Sequence, residues 1–147
     1  MSDTPAPFLQ FHPTQDERTM GLICGLLSAF TGFLGPLIIL IVRKDSLFVK
    51  LYALQALLWH LLYMAVSMVL MMVFFVGIVT SIATTAPQKG GPPPPFFFFF
   101  PFIWFFFMAG WVVNLVLGIL SAVKANEGIW WPYPITGRLA KKFLGVA

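Results

Sequence analysis

Three stretches of the chain, Met20–Val42, Leu51–Ile82 and Phe98–Val123, contain no Asp, Glu, Lys or Arg. Read as helices at about 1.5 Å per residue, the first spans about 35 Å and the second about 48 Å. The hydrocarbon core of a bilayer is about 30 Å thick, so each run is long enough to cross it. Only 10% of the 147 residues are charged, where a soluble domain carries about 25%. Such a chain lacks the polar groups to cover its apolar surface, and its solvent must be lipid. The expected fold is an all-α integral membrane protein, a bundle of three transmembrane helices over about 20–42, 51–82 and 98–123. Residues 1–18 form a polar, partly disordered tail, 19–124 the membrane domain with an external loop at 84–95, and 125–147 a cytoplasmic aromatic and basic tail. The first residues lack the basic start and short apolar core of a cleavable signal.

Within the first run, Gly35–Pro36 predicts a kink, because proline removes a helical donor and crowds the carbonyl four residues back. Small residues recur at Gly21, Gly25, Ser28, Gly32 and Gly35, spaced alternately by four and three, which puts them on one helix face. In lipid such a face lets a second backbone approach, since packing and not apolar burial drives helix association. Gly110, Asn114, Gly118 and Ala122 repeat every fourth residue and form a second stripe of this kind. The second run exceeds the bilayer core, and tilt, a kink near Gly77, or an end outside the core (Phe48–Trp59) would absorb the excess. Met64, Met68, Met71 and Met72 read as adaptable core filler, not as a metal site.

The loop TTAPQKGGPPPP contains a short polyproline rod at Pro92–Pro95. The cluster Phe96–Phe107 that follows suits an entrance to the membrane, with Pro101 confined to a first helical turn. Beyond Lys124, Gly128 marks a helix stop and Ile129–Pro134, IWWPYP, an aromatic turn. Arg138, Lys141 and Lys142 with Leu139, Phe143 and Leu144 suggest a short interfacial helix.

Three crossings would place seven basic residues, Arg43, Lys44, Lys50, Lys124, Arg138, Lys141 and Lys142, on one side, and Arg18 and Lys89 on the other. Basic residues anchor the cytoplasmic side, so the expectation is a multi-pass protein of the cell (inner or plasma) membrane, N-terminus outside and C-terminus cytoplasmic. The net charge of +4 is thus assigned to topology and anionic lipid, not to nucleic acid. The single cysteine, Cys24, lies inside the first run, which excludes a disulfide framework.

Several segments, DERTMGLICGLLS and GPLIILIVRKDSLFVKLYALQAL among them, resemble a bacterial membrane-protein family of unknown function. That family is related to the Tic-type membrane subunit of the chloroplast inner-envelope import translocon. The resemblance rests on Gly35–Pro36, Arg43–Lys44, Phe48, Ala53–Leu57, Ala125–Gly128 and Tyr133–Pro134, and covers about residues 16–137. What it implies is a translocation-related role. The chain departs from the family in carrying Tyr52 and Leu58 where a histidine and an asparagine are frequent, and in its proline and phenylalanine stretch.

Inside the apolar runs the candidates for chemistry are His60 and Asn114, with Gln55 and Ser28 behind them, since a polar group at that depth is a functional hypothesis. His60 lies nine residues after Leu51 and Asn114 nine before Val123, so antiparallel helices would bring them to one depth. A structural hydrogen bond between them is the first expectation and a proton relay the second. The spans carry no carboxylate, no histidine cluster and no nucleophile beside a base, so no enzymatic activity, catalytic residue, metal or cofactor is expected. The first functional reading is a non-catalytic subunit or scaffold of a membrane assembly that contacts lipid and associates with itself or other membrane proteins. A small transporter or channel using His60 and Asn114 as a polar path is the alternative, and a membrane-embedded enzyme of lipid or pigment metabolism the third.

Overall fold

The computed structural model describes residues 12–84 and 95–146. The tail before residue 12, Lys89, and the proline-rich loop 85–94 lie outside the described residues. Thr14 starts α1, Gln15–Thr31, with a reciprocal cap. Its hydroxyl accepts the Glu17 N–H at 3.3 Å, and the Glu17 carboxylate accepts the Thr14 N–H at 2.7 Å. The Ser46 hydroxyl, followed by the Thr14 N–H, holds the Glu17 carboxyl below its ordinary range.

The first expected span does not continue as one helix. α1 ends at Gly32, whose φ of 64° lies in the left-handed region, and α2 covers Leu34–Val42. The break therefore falls one turn before Gly35–Pro36, where the kink was expected. Its cause is still Pro36, which cannot donate to the Gly32 carbonyl and whose ring would clash with it. Glycine at that carbonyl accepts the reversed backbone without a Cβ penalty. Thr31 stitches the break, its hydroxyl accepting the Gly35 N–H at 3.0 Å and donating to the Leu27 carbonyl at 2.7 Å. Gly35 lies so close to Leu27 that a Cβ there would collide with it, and α2 folds back along α1.

Helix α3 runs Leu47–Thr84, 38 residues without interruption at Gly77. After a 3-10 turn at Pro95–Phe99, α4 covers Phe100–Asn126, with Pro101 as its second residue. Gly128, at φ 76°, closes it while the Ile129 N–H reaches back to the Lys124 carbonyl at 3.0 Å. α5 covers Thr136–Phe143. No strand occurs among the described residues. Among the described residues, two helices are long and apolar enough to cross a membrane, Leu47–Thr84 and Phe97–Asn126.

The chain divides into two units, one of residues up to 61 and from 113, the other of 62–112. In the first, Gly21 faces Phe48 and Ala125, and Gly32 faces His60. α1 therefore runs parallel to the start of α3 and antiparallel to the end of α4. Arg43 forms an ion pair with Asp16 at 2.8 Å, so the segment between them begins and ends at the same end of this unit. Residues 20–42 are therefore a folded-back pair of helices and not the one continuous helix expected. In the second unit, Tyr63 stacks on Phe106 at 6.3 Å, and its hydroxyl reaches the Phe107 carbonyl at 3.4 Å.

Candidate functional site

The first turns of α3 carry Tyr52, Gln55 and Trp59, three and four residues apart and therefore on one helix face. This face grips the irregular segment 129–133. Tyr52 Oη donates to the Ile129 carbonyl at 2.5 Å and accepts the Trp131 N–H at 3.2 Å. One residue pair further along, Gln55 Nε2 donates to the Trp131 carbonyl at 3.2 Å while its Oε1 accepts the Tyr133 N–H at 3.1 Å. Trp59 Nε1 donates to Asn114 Oδ1 at 2.6 Å. From the other side, Tyr133 Oη donates to the Leu117 carbonyl at 3.1 Å.

The chemistry of the segment explains the choice of side chains. Buried backbone outside a helix must find partners within the protein. A primary amide presents a donor nitrogen and an acceptor oxygen in fixed geometry, and a phenol can do both at one atom. Tyr52 and Gln55 are fully buried, each at 0% exposure. Rings pack around the bonds, Tyr52 edge-on to Trp130 at 5.2 Å and Trp59 edge-on to Tyr133 at 6.4 Å. Burial pushes the Tyr133 phenol up to about 12, so it stays a neutral donor. Each such bond stabilises by about 1 kcal/mol net, and stranding a buried partner costs about 1–3 kcal/mol.

His60 and Asn114 do not form the expected pair with each other. The Asn114 carbonyl is taken by Trp59, and His60 Nδ1 lies 2.8 Å from the Ala56 carbonyl. The reason is angular, because adjacent helical residues point about 100° apart. Trp59 therefore meets α4 while the His60 ring lies 3.6 Å from where a Cβ on Gly32 would sit. Sequence reasoning ranked Gln55 behind His60 and missed Tyr52 and Trp59 as polar groups. Their spacing in the apolar start of α3 was the available signal.

The small residues distribute over three contacts. Gly21, Gly25 and Ser28 are buried in α1. A Cβ on Gly25 would fall 2.6 Å from Ala122 N and 2.8 Å from the Gly118 carbonyl oxygen, and one on Gly118 2.7 Å from Ala29 Cβ. The α1 and α4 backbones thus touch at this crossing. Gly32 forms the break, Gly35 faces α1, and Gly110 lies against the Tyr63 ring in the other unit. Among the basic residues, Arg43 pairs with Asp16 and Lys124 with Glu127 at 2.7 Å. Lys44, Arg138 and Lys142 are exposed, and Lys50 and Lys141 half-buried. Among the described residues, no three His, Cys, Asp or Glu side chains come together to hold a metal.

Two segments that carry the sequence resemblance, Ala53–Leu57 and Tyr133–Pro134, meet in the Gln55–Tyr133 bond. No curated protein and no solved structure matches the chain. The family model of the magnetosome magnetite crystal formation proteins, MamF/MmsF, matches residues 16–140. The match takes in the Asp16 ion pair, the broken first span, the grip and most of α5. On that evidence the chain belongs to the magnetosome magnetite crystal formation protein family, a family of small bacterial membrane proteins.

Proposed function

We propose that the chain is a non-catalytic subunit of a magnetosome membrane that acts on magnetite crystal formation, together with copies of itself or other membrane proteins. The observation that carries this reading is the family match over residues 16–140, in a chain with two helices of membrane-crossing length. The grip supports a structural role, because Tyr52, Gln55 and Tyr133 spend their polar groups on backbone N–H and C=O groups and Trp59 on the Asn114 side chain. The translocation role implied by the resemblance to import-translocon subunits gains nothing from the family match. A polar path through His60 and Asn114 is disfavoured by their bonding to different partners.

The membrane arrangement in this proposal has two crossings, α3 and α4, with α1 and α2 as a re-entrant pair. Support comes from the Asp16–Arg43 ion pair and from charge. Arg18, Arg43, Lys44, Lys50, Lys124, Arg138, Lys141 and Lys142 would then share one side, which assigns the cytoplasmic face to both Thr14 and α5. This replaces the expected placement of the N-terminus outside. Cysteines introduced at Thr14 and at Lys142 should react with an impermeant label from the same side, and labelling from opposite sides would overturn the arrangement.

The function is tested in a magnetite-forming host. The tagged chain should co-purify with magnetosome membranes, and its deletion should change crystal size or shape in electron micrographs. A chain absent from those membranes, with crystals unaltered on deletion, would refute the proposal.

A further inference from the structure

We propose that α5 and the turn before it form a docking surface for anionic lipid, with Ile135, Leu139 and Phe143 among the acyl chains and Arg138 and Lys142 on headgroup phosphates. The surface follows from how the helix is packed. Thr136, Gly137 and Ala140 are buried against the rest of the unit, which turns the remaining residues outward. Ile135 is 64% and Phe143 71% exposed, with Leu139 at 41%. At about 100° per residue, Leu139 and Phe143 line one flank of the exposed face and Arg138 and Lys142 the other, with Ile135 exposed in the turn before the helix. An apolar flank beside a basic flank is the pattern of a helix lying in the plane of a membrane interface.

The charge is unopposed locally. Residues 135–147 contain no Asp or Glu, and the Glu127 carboxylate is engaged by Lys124 at 2.7 Å. Among the described residues, neither Arg138 nor Lys142 takes part in an ion pair. The turn adds an independent sign. Ile135 has φ 70° and ψ −63°, and it is the non-glycine residue with positive φ among those described. The Thr136 N–H closes a γ-turn on the Pro134 carbonyl at 2.8 Å. A β-branched residue is strained there, and the Ile135 side chain stays exposed at the N-terminal end of α5. Because the chain is anchored in a bilayer, the occupant nearest to this face is the lipid surface, and its phosphates complement the basic flank.

The test uses the full chain in nanodiscs. Phe143→Cys introduces an accessible thiol, whereas Cys24 is 1% exposed and the unsubstituted chain gives the blank. Its alkylation by an impermeant maleimide should be at least about tenfold slower in discs containing phosphatidylglycerol than in phosphatidylcholine alone. Arg138→Gln and Lys142→Gln should each restore the rate by about fivefold. Both substitutions are on exposed side chains, and gel filtration in detergent verifies that the variants remain folded. Equal rates in the two lipids would overturn the proposal, as would slowing that survives both neutralisations. Slowing in neutral discs on adding inorganic phosphate would also overturn it, since the source would then be a free anion and not the membrane.

Discussion

The two ends of α3 obey different rules. Between Leu47 and Leu61 the helix buries Phe48, Val49, Leu51, Tyr52, Ala53, Gln55 and Ala56, whereas beyond Leu62 only Phe74 is buried among the described residues. α4 divides likewise, with Leu117, Gly118, Ser121, Ala122 and Ala125 buried and Phe102 72% exposed. Beyond Leu62 the large apolar side chains of α3 are mostly left exposed, while its first turns bury small residues and polar-tipped groups together with a few apolar ones. In a solvent as apolar as leucine, burial of a leucine gains little. What distinguishes an interior is close backbone contact and hydrogen bonding that the lipid cannot offer.

Substitutions can break that contrast. Gly25→Leu should be the most damaging, because a Cβ there meets the α4 backbone, which cannot rotate away. A loss of about 3 kcal/mol is expected, read as a fall in thermal stability in detergent. Gln55→Leu keeps the volume but strands the Trp131 carbonyl and the Tyr133 N–H, at about 2 kcal/mol. If it is neutral, the grip holds nothing. Tyr52→Phe leaves the ring packing and removes two hydrogen bonds, for up to about 2 kcal/mol. By contrast Phe102→Ala, in the lipid-facing unit, should change stability in detergent by about 0.5 kcal/mol or less.

The smallest effect concerns Glu17. Its carboxylate is favoured in the folded state by Ser46 and Thr14. The stability it adds is therefore present above the ordinary glutamate range and lost as the pH falls through the lowered value. Parent chain and Glu17→Gln should differ slightly at neutral pH and converge well below about pH 4, as followed by acid titration of thermal stability.

The helical and membrane character was legible in the sequence, in three long runs without charge. Pro36 was legible as a disturbance, but its severity was not. A proline kink and a proline break have the same local signature, and the choice was made by Thr31, Gly32 and the fit of Gly35 on Leu27. At the site, His60 and Asn114 each bond to a partner other than the one expected. Polar residues at one depth were visible, but a rotation of 100° separates Trp59 from His60, and helix rotation is not written in depth. Segment 129–133 offered aromatic residues, whereas the groups α3 recognises are its peptide bonds, which no residue type reveals.

The break at Gly32 changes parity. In the proposed arrangement three apolar runs make two crossings, and only the segment joining α3 to α4 has to be carried through the bilayer during insertion. The first apolar run would enter and leave by the same face, and the inserting machinery would have to release it as a loop, without treating it as a stop signal.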